Sequence, residues 1–318
     1  MPVPTLMDVD TGIDDAFALL LAVRSPEVDV VGVGSVAGNV NAVLAARNTL
    51  RVLEVAGAGA VPVAVGAGSA IVEPSHDAYW VHGADGLGET AQPQPDGTPS
   101  DEHAVDQLLR LSLEHRGDLV VVAVGPLTNL ALALRTDPGL AGRLGRVVVM
   151  GGSVRSGGNR SAWGEANLTS DPEAARVVFT SDLTRTMVGL DVTMQLMLDD
   201  ADRERLATSG DPAGEFAAEL LPFYLDAYAR WLGQRRCAMH DPLAVAAVVD
   251  PQVLTTERLP TQIETHGGLT RGMSVVDLRA RFPGWPGDDT PTTDVALDVD
   301  APRVHALLLD RLTQQPRP

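Results

Sequence analysis

No lysine occurs anywhere in the 318-residue chain; all 24 basic residues are arginine. A Walker A loop, whose lysine reaches the terminal phosphates of a nucleotide, is therefore excluded. Cysteine is almost absent as well. The single Cys237 can form no internal disulfide and offers no zinc-type cluster, which fits a reducing, cytoplasmic setting. No run of about 18 uncharged apolar residues is present. The opening stretch MPVPTLMD has neither the basic nor the long apolar region of a secretory signal, so neither a membrane span nor an export leader is expected. Positive charge is scarce too: 42 acidic side chains against 24 arginines give a formal net charge of -18. Such a chain repels phosphate backbones and anionic membranes, and without a compensating basic patch neither a nucleic-acid polymer nor a membrane is expected as a partner.

What is present is enough to build a large core, since 45% of the residues are apolar. Short β-branched runs at 5–9, 28–36, 61–65, 119–124, 146–150 and 186–190 alternate with amphipathic stretches at 14–24, 40–56, 101–115, 127–136 and 172–179. This βαβα rhythm predicts one α/β domain over residues 1–318, with an open, mainly parallel sheet flanked by helices and a Rossmann-like core. Functional loops then belong at the carboxyl ends of the strands. Further on, helices are expected at 201–207 and 213–232 and a helix start at Met239-His240-Asp241-Pro242. Strand pieces follow at 252–259, 262–265, 274–278 and 293–299, and a helix at 302–312 closes the chain. The segments 92–100 and 282–292 are rich in proline and glycine and read as surface loops.

Chemistry concentrates where the first strand meets the first helix, at Asp8-Val9-Asp10-Thr11-Gly12-Ile13-Asp14-Asp15. Four carboxylates in eight residues raise one another's pKa unless something positive lies among them, and a hard cation such as calcium or magnesium is the natural partner. Adjacent residues at a helix start point about 100° apart, so Asp14 and Asp15 should serve different ligands. A capping aspartate with solvated neighbours would give the same local pattern. The haloacid-dehalogenase phosphatase motif is a rival, but Gly12 stands where it needs a hydroxyl, and its phosphate-binding lysine cannot exist in this chain. The glycines at 32, 34 and 38 form no G-x-G-x-x-G at the first strand–helix junction, so no dinucleotide site is expected there.

This octet is followed by Gly38-Asn39, by His82-Gly83 with Gly86 and Gly88, and by Gly125-Pro126-Leu127-Thr128-Asn129. Next come Met150-Gly151-Gly152, Asn159, Glu165-Ala166-Asn167, Asp171-Pro172-Glu173 and His240-Asp241-Pro242, and last Val295-Ala296-Leu297-Asp298-Val299. In this order and spacing the series resembles the inosine-uridine-preferring nucleoside hydrolase family over nearly the whole chain. The resemblance implies hydrolysis of the N-glycosidic bond of ribonucleosides in nucleoside salvage. It also implies a calcium ion held by Asp10, Asp15, Asp241 and the main-chain carbonyl of Thr128, with water and the ribose diol completing the shell. By the same resemblance Asp10 is the general base; Asp14, Asn39, Asn159, Glu165 and Asn167 bind the ribose; and His240 protonates the leaving base. Tyr224 and Tyr228, one helical turn apart, would line the nucleobase side together with His82. A homodimer or homotetramer is the assembly the family implies.

Other readings of these residues stand beside the implied ones. Asp171 and Asp241, each before a proline, have the grammar of a helix N-cap, and Asp171 is read as structural. The tyrosine pair could be core packing, and His82 could be a loop residue. The same ligands without productive chemistry would make a calcium-dependent nucleoside or ribose binder. Two departures from the family pattern are Thr11, where proline is frequent, and Ala166, where an aromatic can occur; the second leaves the pocket wider and its base preference open.

Overall fold

The structure, a computed structural model, describes residues 1–74, 77–287 and 289–314. Eleven strands and twelve helices follow one another along the described chain. The first half comprises β1 (Val3–Val9), α1 (Ile13–Val23), β2 (Val28–Ser35), α2 (Ala42–Val55), β3 (Val63–Val65), α3 (Tyr79–His82), α4 (Ala104–Glu114), β4 (Val120–Ala123), α5 (Thr128–Thr136) and β5 (Arg146–Met150). The second half comprises α6 (Ala166–Ser170), α7 (Pro172–Phe179), β6 (Arg185–Val188), α8 (Leu190–Thr193), β7 (Met197–Asp199), α9 (Asp200–Ala207), α10 (Pro212–Leu232), β8 (Arg236–Ala238), α11 (His240–Val249), β9 (Leu254–Ile263), β10 (Ser274–Val276), β11 (Thr292–Val299) and α12 (Ala301–Thr313).

Among the described residues nine strands form one sheet in the order β10-β9-β11-β6-β5-β4-β1-β2-β3. Pairing is parallel from β3 across to β11, and β9 and β10 close that edge antiparallel. The strand order reverses between β1 and β4, and a crevice at the carboxyl ends is the place for a ligand at such a switch point. Both faces are covered, so the inner strands are continuous β-branched runs rather than alternating ones. In β4, Val120 and Val122 face a core shared with α1, α10 and α11, whereas Val121 and Ala123 face a second core shared with α4, α5 and α7. Helix α1 is buried from Ile13 to Ala22, which explains why its sequence is apolar all round beyond its first turn.

Three differences from the sequence reading bear on the site. The strand pieces expected at 252–259 and 262–265 are one strand, β9; Pro260 lies inside it, where its carbonyl accepts the Asp277 amide at 2.9 Å. Helices α3, α6 and α8 have four or five residues each, too few to show a helical period. Strands β7 and β8 form a separate antiparallel pair, and the Met239 amide bonds the Leu196 carbonyl at 2.8 Å, which fixes the chain just before His240. In the loop expected at 282–292, Asp288 lies outside the described residues.

Candidate active site

Asp10 follows the end of β1, and Asp14 and Asp15 occupy the first turn of α1, where helix N-termini favour carboxylates. Asp15 is the best held. Its Oδ1 accepts the Asp10 amide at 3.1 Å, and its Oδ2 accepts the Gly12 amide at 2.9 Å and the Asn39 side chain at 3.1 Å. Asp10 Oδ2 accepts the Asn39 amide at 2.7 Å. Asp241 arrives from the start of α11, and oxygens of Asp14, Asp15 and Asp241 lie within 4.8 Å of one another. All four carboxylates are buried.

Burial, with the Asp15 charge beside it, holds the Asp10 carboxyl well above the usual carboxylate range. Burial and then Asp15 push Asp14 up to about 8. Asp241 is raised by burial and by the charges of Asp14, Asp15 and Asp10. Asp15 is raised by burial alone, against the amides that hold it. Two oxygens, Asp10 Oδ1 and Asp14 Oδ1, are buried without a hydrogen-bond partner. An all-oxygen donor set, mutual repulsion and two orphaned acceptors fit a hard cation of the calcium type.

The other wall carries aromatic and imidazole groups. His82 Nδ1 accepts the Ile13 amide at 3.0 Å, so its proton resides on Nε2, and burial followed by the His240 charge lowers its pKa to about 3. The His82 ring stacks on Tyr224 at 5.4 Å between centroids, and Tyr224 meets Tyr228 edge-on at 5.0 Å. His240 has both ring nitrogens engaged: Nε2 lies 2.6 Å from the Tyr228 hydroxyl and Nδ1 lies 2.7 Å from Thr193 Oγ1. Burial lowers its pKa to about 4.

Between these walls, polar side chains from the loop after β5 complete one pocket with the acids. Glu165 caps α6: its Oε1 accepts the Asn167 amide at 2.8 Å, and its Oε2 accepts the Gly152 and Leu168 amides at 3.0 and 3.1 Å. Asn159 Oδ1 accepts the Ala166 amide at 2.9 Å. The Asn167 amide nitrogen donates to the Val124 carbonyl at 2.6 Å and to the Met150 carbonyl at 3.2 Å, which ties the ends of β4 and β5. A cation-ready acid cluster, a polar middle and a histidine–tyrosine wall thus share one concavity, as cleavage at a sugar between water and a leaving group requires.

Residues 5–306 match the family described as inosine-uridine preferring nucleoside hydrolase. The chain belongs to this family. It is 38% identical over 314 residues to the inosine-uridine preferring nucleoside hydrolase of Leishmania major, covering 98% of each chain. It is 37% identical over 314 residues to a pyrimidine-specific ribonucleoside hydrolase of Shigella boydii, covering 98% of this chain and 99% of that one. A solved plant nucleoside hydrolase superposes with a TM-score of 0.95 at 34% identity, over 99% of this chain and 100% of the other.

The nucleoside hydrolase pocket gathers most of the residues singled out in the sequence. Asp10, Asp14, Asn39 and Asp241 line it from the acidic side, and Asn159, Glu165 and Asn167 from the middle. His82, Tyr224, Tyr228 and His240 line it from the aromatic side. Asp15 and Thr128 do not line it. Asp15 accepts the Asp10 amide, and the Thr128 side chain donates to Asp171 Oδ2 at 2.7 Å. Asp14, expected on the sugar side alone, brings a carboxylate oxygen into the cluster with Asp15 and Asp241. Asp171 does cap α7, accepting the Ala174 amide at 3.0 Å, and it also holds Thr128 and the Ile71 amide.

Sequence reasoning missed Trp80 and Trp231 at the rim, together with Thr193. Trp231, three residues after Tyr228 on α10, shares its helical face and could have been found by spacing. Thr193 carried no local signal. Among the described residues no helix is long and apolar enough to cross a membrane.

Proposed function

We propose that this chain hydrolyses the N-glycosidic bond of ribonucleosides to ribose and free nucleobase, in a calcium-dependent reaction that serves nucleoside salvage. The observation that carries the reading is the junction, in one pocket, of the buried carboxylates of Asp10, Asp14 and Asp241, which hold two orphaned oxygens, with a histidine–tyrosine pair. Asp10, Asp15 and Asp241, with the Thr128 carbonyl, would hold the cation. When bound, it would acidify water and take oxygens of the ribose diol into its shell.

The chain's own groups account for the remaining work. Asp10 Oδ1 is free to accept a proton from the attacking water, while Oδ2 is fixed by the Asn39 amide. Asn159, Glu165 and Asn167 are pinned by backbone bonds, so they present preset groups to the sugar hydroxyls, and the carboxylates stabilise positive charge growing on the ribosyl ring. His240 with Tyr228 supplies the proton for the departing base, and the rings of Tyr224 and His82 shield that side from water. Ala166 lines the pocket, and the ribonucleosides cleaved are those of purines, pyrimidines or both. A cytoplasmic location and a homodimer or homotetramer complete the proposal. The buried, unpaired Cys237 is in keeping with the former.

The test is chromatographic separation of products after incubation with uridine, cytidine, inosine and adenosine, beside Asp10→Ala. Ribose and free base in equal amounts, over many turnovers and absent in the variant, support the proposal. Bound but uncleaved nucleoside would instead make the protein a binder.

A further inference from the structure

We infer that Thr193 is a positioning residue for the protonation of the leaving base: its hydroxyl holds the Nδ1 edge of His240 and thereby keeps the Nε2 edge on Tyr228 and the pocket. This rests on the proposed role of the His240–Tyr228 pair in leaving-group protonation.

Thr193 is wholly buried and lies behind the pocket rather than in its lining. Its backbone is fixed on both sides, since its amide donates to the Gly189 carbonyl at 3.1 Å and its carbonyl accepts the Leu196 amide at 3.2 Å. Its Oγ1 is 2.7 Å from His240 Nδ1, and the Tyr228 hydroxyl is 2.6 Å from Nε2 on the opposite edge. A ring held at both nitrogens cannot turn over without losing two buried hydrogen bonds, each costly to leave unmade.

The two edges face different surroundings. Nε2 looks through Tyr228 into the pocket, whereas Nδ1 looks into the protein. The proton that moves must therefore be the one at the Nε2–Tyr228 contact, and the Nδ1 proton must stay in place. A hydroxyl accepting from Nδ1–H does this, in the manner of the third group that orients a catalytic base. As the oxygen of the attacking water bonds to C1′, the C1′–N bond breaks and its electron pair goes to the base nitrogen. The base takes one proton from the Tyr228–His240 pair, Asp10 takes one from the attacking water, and exchange with solvent restores both. Two residues before Thr193, Asp191 accepts the amides of Val154 and Arg155 at 2.6 and 2.8 Å. The short α8 thus ties the loop leading to Asn159 to the histidine wall.

Thr193→Val keeps the volume and removes the hydroxyl. It should lower kcat on uridine and inosine by about 10- to 100-fold with KM within about twofold. Cleavage of p-nitrophenyl β-D-ribofuranoside, whose nitrophenolate leaves without a proton, should fall by less than about threefold, and Thr193→Ser should return uridine cleavage to within about threefold of the parent. Equal losses on both substrate types, or no loss on uridine, would overturn the inference. His240→Gln separates the two layers. If it shows the leaving-group split and Thr193→Val does not, Thr193 has no positioning role. If neither shows it, the proposed role of the His240–Tyr228 pair fails. Should the valine variant not fold, the leaving-group ratio in Thr193→Ala decides in the same way.

Discussion

Removing divalent cations should lower the melting temperature of this protein, and by more at pH 8 than at pH 5. Without a cation, burial and the neighbouring Asp15 hold the Asp14 carboxyl at about 8 against an ordinary 3.8, and Asp10 and Asp241 are raised in the same direction. The folded state then binds more protons than the unfolded chain. That contribution is complete below the unfolded pKa and is lost as pH rises through the folded one, so the cation-free protein weakens from about pH 4 to about pH 8. A calcium ion bound at the deprotonated cluster, as proposed, would relieve the repulsion and stabilise the fold by RT ln(1+[L]/Kd), about 2.7 kcal/mol at a hundredfold excess over Kd. For 318 residues the unfolding entropy is about 0.7 kcal/mol per kelvin, so the melting temperature should rise by about 4 °C at pH 8. At pH 5 protons compete for the same oxygens and the rise should shrink to about 2 °C or less. Asp241→Asn should melt higher than the parent in chelator at pH 8, because one like charge is gone, yet show no calcium shift. Differential scanning calorimetry at both pH values reads all of this. A calcium shift equal at pH 5 and pH 8, or a less stable Asp241→Asn protein in chelator, would refute the reasoning.

Arg24 makes two bonds of 2.9 and 2.8 Å to buried Asp211, which also caps α10. Arg24→Ala leaves that carboxylate without its cation and should cost about 3–5 kcal/mol in denaturant unfolding, with no change in substrate preference. A side chain at Gly125 would place its Cβ 3.0 Å from Asp10 Oδ1 and 2.9 Å from Val36, so Gly125→Ala should displace Asp10, the proposed general base. A hydrolysis rate reduced by about 100-fold at nearly parental melting temperature is expected, and an unchanged rate would count against Asp10 as base. Because the ribose diol completes the calcium shell in this account, 2′-deoxyuridine should react far more slowly than uridine; comparable kcat/KM on the two would remove the diol from the mechanism.

Much of this arrangement was legible in the chain because chemistry and fold coincide at strand ends. The β-branched runs of β1, β2, β4 and β5 announced a buried parallel sheet, and the acids at 8–15 lie where β1 hands over to α1 at the switch point. Three kinds of feature stayed hidden. Helices of four or five residues show no period, so Thr193 on α8 and the Glu165 cap of α6 could not be assigned structural partners. Side-chain hydrogen bonds across long sequence separations, such as Asn129 to Asp8 at 2.7 Å and Thr128 to Asp171, depend on the folded sheet. The approach of Asp241, from α11, to within 4.8 Å of Asp14 and Asp15 likewise comes from the packing of distant elements.

The most direct test of the central claim is reducing-sugar release from uridine and inosine by protein stripped of divalent cations, before and after calcium is restored. The account predicts no turnover in the stripped protein, recovery on adding calcium, and none at any calcium level in Asp10→Asn. Full turnover in protein shown by elemental analysis to carry no divalent cation would contradict it.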